Sequence, residues 1–515
     1  MSINTSLTRR QALVLSSAAA AGFVVGGLPR AARSTLLTAP SLPIPTLIEA
    51  RNGEVVTLSL QKTRHRFGSG APVPSTGISS SYLGPVVRVR SGDTIPFRVE
   101  NQLDEETTLH WHGLMVPSQI DGGPHNMIAP GAVWTPEISV KQSPATTWFH
   151  PHPHGNTARQ VYGGLSGMMI VSDGSDKERG LPVTYGLDDL PLVLQDKRFG
   201  PNDELVYEPS MMDLMQGFRG DTLLVNGAIE PIANVPASYV RLRLLNAANG
   251  RTFDLQFGDR RPFFVIAGDG GLLSEPVEVK RLVIAPAERY EILVNFSDGR
   301  PVDLVTAADA HSGMGGMMMQ MMRARAFAAE AEVFMRFKPD PALKVTVTRL
   351  PREFAALAAP DIKSAVTWRT FELDPMMGMS MARISATGGP TGDFARGTGH
   401  DHAGVAQMMG INGRSFSMNR VDVTAKLGTS EIWEIVSNAM AHPFHVHGAS
   451  FRILSNNGRK PSAEQSGWKD VVLVEDRAEV LVRFNNPAPA NMPFMYHCHI
   501  LEHEDRGMMG QFSVV

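Results

Sequence analysis

The chain has 515 residues, with 51 acidic side chains against 48 basic ones and a formal charge of −3. So even a balance gives no electrostatic case for nucleic acid as a partner. At about 150 residues per domain the length suggests three domains, and a single cysteine excludes an intrachain disulfide, leaving cysteine usage silent on the compartment.

The chain opens on Thr8-Arg9-Arg10-Gln11-Ala12-Leu13-Val14, a twin-arginine pattern, followed by an apolar run through Val25 and a small-residue stretch near Pro29–Ala32. The run is short and rich in alanine and glycine. Residues 1–33 therefore read as a removable signal for the twin-arginine export machinery rather than a membrane anchor. A periplasmic protein with no stable membrane span after signal removal is expected, and a monomer. The alternative is a chance arginine pair before a hydrophobic start.

Beyond this signal, glycine and proline are abundant and helical periodicity is scarce, which favours short strands joined by turns. Three strand patterns repeat before an asparagine: Arg98-Val99-Glu100-Asn101, Arg243-Leu244-Leu245-Asn246 and Glu434-Ile435-Val436-Ser437-Asn438. Val225-Asn226-Gly227 is echoed by Ile411-Asn412-Gly413, and Tyr290-Glu291-Ile292-Leu293-Val294 by Ala478-Glu479-Val480-Leu481-Val482. Repeats of this kind suggest one β-sandwich used three times, over 46–172, 190–337 and 365–515. Prolines 40, 43 and 45 lead in, Ser172–Asp189 and Lys338–Ser364 link the repeats, and Gly-rich Ser385–Ala406 reads as a flexible insertion.

Histidine supplies the chemistry. His-x-His occurs at His110/His112, His150/His152, His445/His447 and His497/His499. On a strand that spacing puts both imidazoles on one face, and neutral imidazole suits copper. A single such pair is more often structural; four interlocked pairs are not. Seven residues past the repeat asparagine the last copy has His445-Val446-His447, where the middle copy has Phe253-Asp254-Leu255. The middle domain is thus expected to hold no catalytic ligand, and the eight imidazoles to meet between the first and third.

The lone cysteine stands in Tyr496-His497-Cys498-His499-Ile500-Leu501-Glu502-His503, with Met508 ten residues on. Two imidazoles, one thiolate and a weak axial thioether make a blue copper site, and His442 is the obvious second imidazole. Strand neighbours point to opposite faces, so His497 and His499 face away from whatever Cys498 holds.

These blocks resemble the four copper-binding motifs of the multicopper oxidases, across nearly the whole mature chain, and most closely those of the bacterial periplasmic copper-efflux branch. The resemblance implies an all-β chain of three tandem cupredoxin-like, Greek-key β-sandwich domains and four copper ions. By position it gives type 1 copper to His442, Cys498, His503 and Met508, and type 2 to His110 and His445. The type 3 pair falls to His112, His150, His152, His447, His497 and His499. It further implies that Cys498 passes electrons to the cluster, that Asp121 and Glu504 relay protons, and that dioxygen is reduced to water by four one-electron oxidations. The alternative is an Asx-turn role for Asp121 and an ordinary loop acid at Glu504.

Cu(I), with phenols and aromatic amines less selectively, is the expected reductant, and copper tolerance the expected role. Methionines cluster at 314–322 and at Met376, Met377, Met379 and Met381, and thioether selects Cu(I). Leu373–Met379 is similar to the start of the branch's Met-rich segment, so Met376, Met379 and Met381 with Met440 are candidate substrate Cu(I) ligands. Two departures count against this: the segment is much shorter, and an aspartate of the branch's substrate site is Asn438 here. The methionines otherwise serve as adaptable packing. Competing readings are a general laccase and a division-associated, copper-free relative, whose loss of ligands this chain does not share; copper storage and nitrite reduction fit less well.

Met508→Leu, removing the weak axial thioether, is expected to raise the type 1 reduction potential; a potential measured as unchanged or lower would refute the axial assignment.

Overall fold

The computed structural model describes residues 39–307, 331–354, 357–374, 409–437 and 440–515. The export signal, the methionines at 314–322 and 376–381, the insertion at 385–406 and Asn438 lie outside them. Strands dominate and gather into six sheets, two around each of three hydrophobic cores.

The first domain pairs the sheet containing Val56–His65 and Thr94–Gln102 with the one containing Val86–Arg90, Ala145–Phe149 and Gly167–Ser172. Alternation makes the core: Val56, Leu58 and Leu60 of the first strand point inward while Thr57 is exposed. The middle domain sets a seven-stranded sheet against a five-stranded one, and the third uses two of five strands.

The repeat seen in the sequence is a repeat in register. Val56–His65 runs parallel to Thr94–Gln102 with Leu60 opposite Asn101. Asp189–Lys197 pairs with Tyr239–Asn246 in the same way, Leu194 opposite Asn246. In the third domain Leu373 stands opposite Ser437. The serine, not the neighbouring Asn438 that the sequence pattern singled out, therefore occupies the asparagine's register position. Asn101 donates to the carbonyls of Glu105 and Ile128 and accepts from Leu103 N. Asn246 repeats this with Arg251, Ile284 and Ala248. Each amide replaces the backbone partners a turn cannot supply. Ser437 is too short for three bonds and makes one, to the carbonyl of Met440.

Several strands lose the in–out alternation. Among them, Ala145–Phe149, His442–Val446 and Phe494–Cys498 are buried at every residue. One face of each packs in its own domain and the other against a second domain, so apolar and histidine side chains share the strand. That double burial places the site.

Asn246→Ala would strand the buried carbonyls of Arg251 and Ile284 and the amide of Ala248. At about 1–3 kcal/mol for each buried group left unpaired, it should destabilise the protein by several kcal/mol in denaturant unfolding; a loss under about 1 kcal/mol would show that water replaces the amide.

Candidate metal centres between the first and third domains

Phe494–Cys498 pairs antiparallel with His442–Val446, Cys498 opposite Phe444 and His497 opposite His445. Cys498 faces the third-domain core. Its Sγ lies 3.3 Å from His442 Nδ1 and 3.6 Å from His503 Nδ1, and the two nitrogens are 3.3 Å apart. His503 comes from the short helix Leu501–Asp505 and donates through Nε2 to the carbonyl of Met215, which fixes Nδ1 as the nitrogen bearing a lone pair. Met508 is buried in the same core, and its carbonyl accepts from Cys498 N at 3.1 Å.

His497 turns the other way and meets His152 and His447. Its Nε2 lies 3.3 Å from His152 Nε2 and 3.1 Å from His447 Nε2. His497 Nδ1 donates to the carbonyl of Cys498 at 3.0 Å, and His447 Nδ1 bonds to Asp121 Oδ2 at 2.7 Å. With those protons assigned, His447 Nε2 and His497 Nε2 face each other with lone pairs, a repulsion that a cation between them would relieve. Beside them, His110 Nδ1 donates to the Asp121 carbonyl, His150 Nδ1 to the Pro151 carbonyl and His445 Nδ1 to the Asp470 carbonyl. His112 is bonded through Nε2 instead, to Asp470 Oδ1 at 3.2 Å. The opposite nitrogens, Nε2 of His110, His150 and His445 and Nδ1 of His112, are buried without partners, as are both nitrogens of His499.

The eight imidazoles therefore converge, but not as four flat pairs on four strands. His110 and His150 meet in an isolated bridge, with His112 in a turn and His152 in irregular chain beyond, and His447 and His499 likewise follow their strands. Pro151, which has no N–H for a ladder, lies between the second pair. Gly122, with φ of 82°, brings its backbone against Leu109, where any Cβ would collide with a carbonyl oxygen. Leaving the strand lets each pair wrap around a volume rather than line a face.

Burial first, then neighbouring imidazoles, holds His112, His152, His442, His445, His447, His150 and His499 well below the usual histidine range. Burial also takes His497 down to about 3 and His503 to about 4. Neutral rings are the metal-binding form. Burial pushes the Cys498 thiol up, so a bound cation is what would hold its thiolate. The buried donors, lone pairs confronting and nitrogens unpartnered, fit a soft or borderline metal such as copper.

Among the acids singled out in the sequence, Asp121 Oδ2 touches His447 and lies 3.2 Å from His110 Nδ1. Glu504, fully buried, lies 3.4 Å from His152 Nδ1 and 3.2 Å from His497 Nδ1. Burial, then Asp505, pushes its pKa well above the carboxylate range. Met440 is buried in the core that holds Cys498. His125 bonds to Gln511 and His154 packs edge-on against Phe416, neither within a centre. Asp470 was not anticipated. The signal was a charged pair, Lys469-Asp470, set directly before the apolar run Val471–Val474.

Multicopper oxidase models match residues 59–176, 202–317 and 391–515. The chain belongs to the multicopper oxidases. The laccase-like multicopper oxidase CueO of Ochrobactrum sp., active on lignin model compounds and lignosulfonate, is 48% identical and superposes with a TM-score of 0.82, covering 92% of this chain and all of that one. A laccase of Pediococcus acidilactici is 32% identical with a TM-score of 0.77, over 93% of this chain and 94% of that one. Cell division protein FtsP of Xenorhabdus nematophila is 36% identical over 99% of both chains. The three family models and the two oxidase structures agree with a chain of three cupredoxin-like domains.

Adding cupric ion to the metal-free protein is expected to raise its thermal unfolding midpoint, and a chelator to reverse the rise. A midpoint indifferent to copper would mean that the facing nitrogens are satisfied in another way.

Proposed function

We propose that the chain is an exported oxidase that couples four one-electron oxidations of Cu(I), and less selectively of phenols and aromatic amines, to reduction of dioxygen to two waters, with a role in copper tolerance. The observation that carries it is the strand Phe494–Cys498 and its continuation: Cys498 on one face beside His442 and His503, His497 on the other beside His152 and His447. Storage or a single-centre protein has no use for that adjacency.

In this reading His442, Cys498, His503 and Met508 hold type 1 copper, and His110 and His445 hold type 2. His112, His150 and His499 hold one type 3 ion, and His152, His447 and His497 the other. Bound copper would supply one-electron redox chemistry on the first site and dioxygen reduction on the second. The chain supplies the connection: the backbone from Cys498 to each neighbour, shortened by the hydrogen bond from His497 Nδ1 to the Cys498 carbonyl.

Water formation consumes protons, and two acids stand at the cluster. Asp121 orients His447 and His110, while Glu504 stands between His152 and His497. Next in sequence, Asp505 is pushed up to about 7 by burial and lines a surface cavity of about 740 Å³ with His154 and Tyr207. Asp505, with Glu504 behind it, gives that cavity a line of positioned acids toward the cluster.

The outer edge of the type 1 site favours a small, soft reductant. His503 is bonded to Met215 of the helix Met211–Gln216, and Met211 and Met212 of that helix are exposed. Thioethers there suit Cu(I). Export follows from the twin-arginine pattern; among the described residues no helix is long and apolar enough to cross a membrane.

A second reading, a division-associated role, is favoured by the full-length match to FtsP. Dioxygen uptake separates the two. Copper-loaded protein should consume oxygen with Cu(I) faster than with a bulky phenol, and deletion within 373–381 should lower the Cu(I) rate selectively. Copper binding without oxygen uptake would favour the division role; equal rates would favour a general laccase. Asp121→Asn and Glu504→Gln should each slow oxygen uptake by about 10²–10⁴-fold with the blue colour intact, and a bleached variant would move either acid from proton supply to ligand support.

A further inference from the structure

Among its described residues the middle domain contributes no imidazole to either centre, yet it sends one side chain to the edge of the cluster. Arg289 begins the strand Arg289–Asn295 and is fully buried. All five of its N–H groups have acceptors. Nη1 and Nη2 hold Asp470 as a fork, at 2.7 and 2.5 Å. Nη1 also donates to the Ala287 carbonyl, Nη2 to the Asp269 carbonyl, and Nε to the carbonyl of Thr146. Thr146 lies in the first-domain strand that ends immediately before His150, and Asp470 belongs to the third domain.

Asp470 touches one histidine from each of the ligand-bearing domains. Its side chain accepts from His112 Nε2 and its backbone carbonyl from His445 Nδ1. Those protons decide which nitrogen each ring offers. His112 differs from its neighbours in offering Nδ1, and this carboxylate is what turns it. Room for the pair is kept by Gly113, directly after His112: a Cβ there would lie 2.6 Å from Arg289 Nη2 and 2.8 Å from Asp470 Oδ2.

We propose that Arg289 is a positioning residue of the trinuclear site: a guanidinium from the middle domain fixes Asp470, and through it the tautomers of His112 and His445, while tying both to the strand leading to His150. This rests on the copper assignment above. A planar fork is required, because one cation at a point would hold the charge without the plane of the carboxylate.

The test uses full-length, copper-loaded protein and three variants. Arg289→Met is expected to keep the intense blue absorption of the type 1 site while losing type 2 signal in electron paramagnetic resonance, with copper per chain falling and affinity for the lost ion about 10–100-fold weaker. Arg289→Lys should fold with less disturbance, retain more copper and still show a shifted type 2 hyperfine pattern. Arg243→Met, which removes a neighbouring buried arginine bound to Asp189 and Glu291, should lower stability without changing that pattern. Unaltered type 2 spectra in Arg289→Lys would overturn the proposal even if Arg289→Met failed to fold. Equal spectral change in Arg243→Met would also overturn it, by making the effect one of general domain packing. Wild-type protein with no blue band would instead refute the copper assignment itself.

Discussion

Side chains on an extended strand cannot share a face with their neighbours, and the rest of this molecule is arranged around that restriction at Cys498. The thiol points into the third-domain core, where a dry, apolar surround of Phe444, Ile500 and Met508 encloses it. His497 and His499 must then point out of that core. A ring leaving a domain needs a second surface to be buried against, and the first domain provides it with four histidines of its own. Two centres joined by adjacent residues thus require two domains pressed together, and neither alone encloses the outer one.

That arrangement is costly without metal. Imidazole nitrogens with no partner are buried at His110, His112, His150, His152, His445 and His499, and lone pairs confront one another at His447 and His497. Each stranded polar group costs about 1–3 kcal/mol. The same burial keeps the rings neutral and so ready to coordinate. Binding and folding are in this sense one transaction: the site is a liability until an ion occupies it.

Much of this was legible from residue spacing, because ligand identity and strand alternation are local properties. His442, Cys498 and His503 meet, and the four His-x-His pairs converge. What the spacing misjudged was equally local. The pairs at 110–112 and 150–152 do not lie flat on strands, since the chain turns at Gly113 and Pro151, and the third repeat aligns through Ser437, not its neighbour. What could not be read is long-range. Asp470 lies 358 residues from the histidine it bonds, and Arg289 reaches it from the middle domain. No local pattern marks such a meeting, although charged residues beside buried apolar runs, Lys469-Asp470 before Val471 and Glu288-Arg289 before Tyr290, were visible as charges in the wrong place.

Those charges give the middle domain, without ligands among its described residues, a part in the site. Arg241 and Arg243 are buried against Glu291, with Arg243 also on Asp189 and on Thr146 of the first domain. Lys469 of the third domain lies between Asp269 and Glu288. Buried ion pairs are poor sources of stability, because desolvation consumes most of what attraction returns, but a partner lost leaves a buried charge exposed to that full cost. Apolar surfaces tolerate sliding; a fork of five donors does not. A middle domain carrying such pairs to the third domain and hydrogen bonds to Thr146 of the first therefore holds them in one register, and a cluster built half from each tolerates no other.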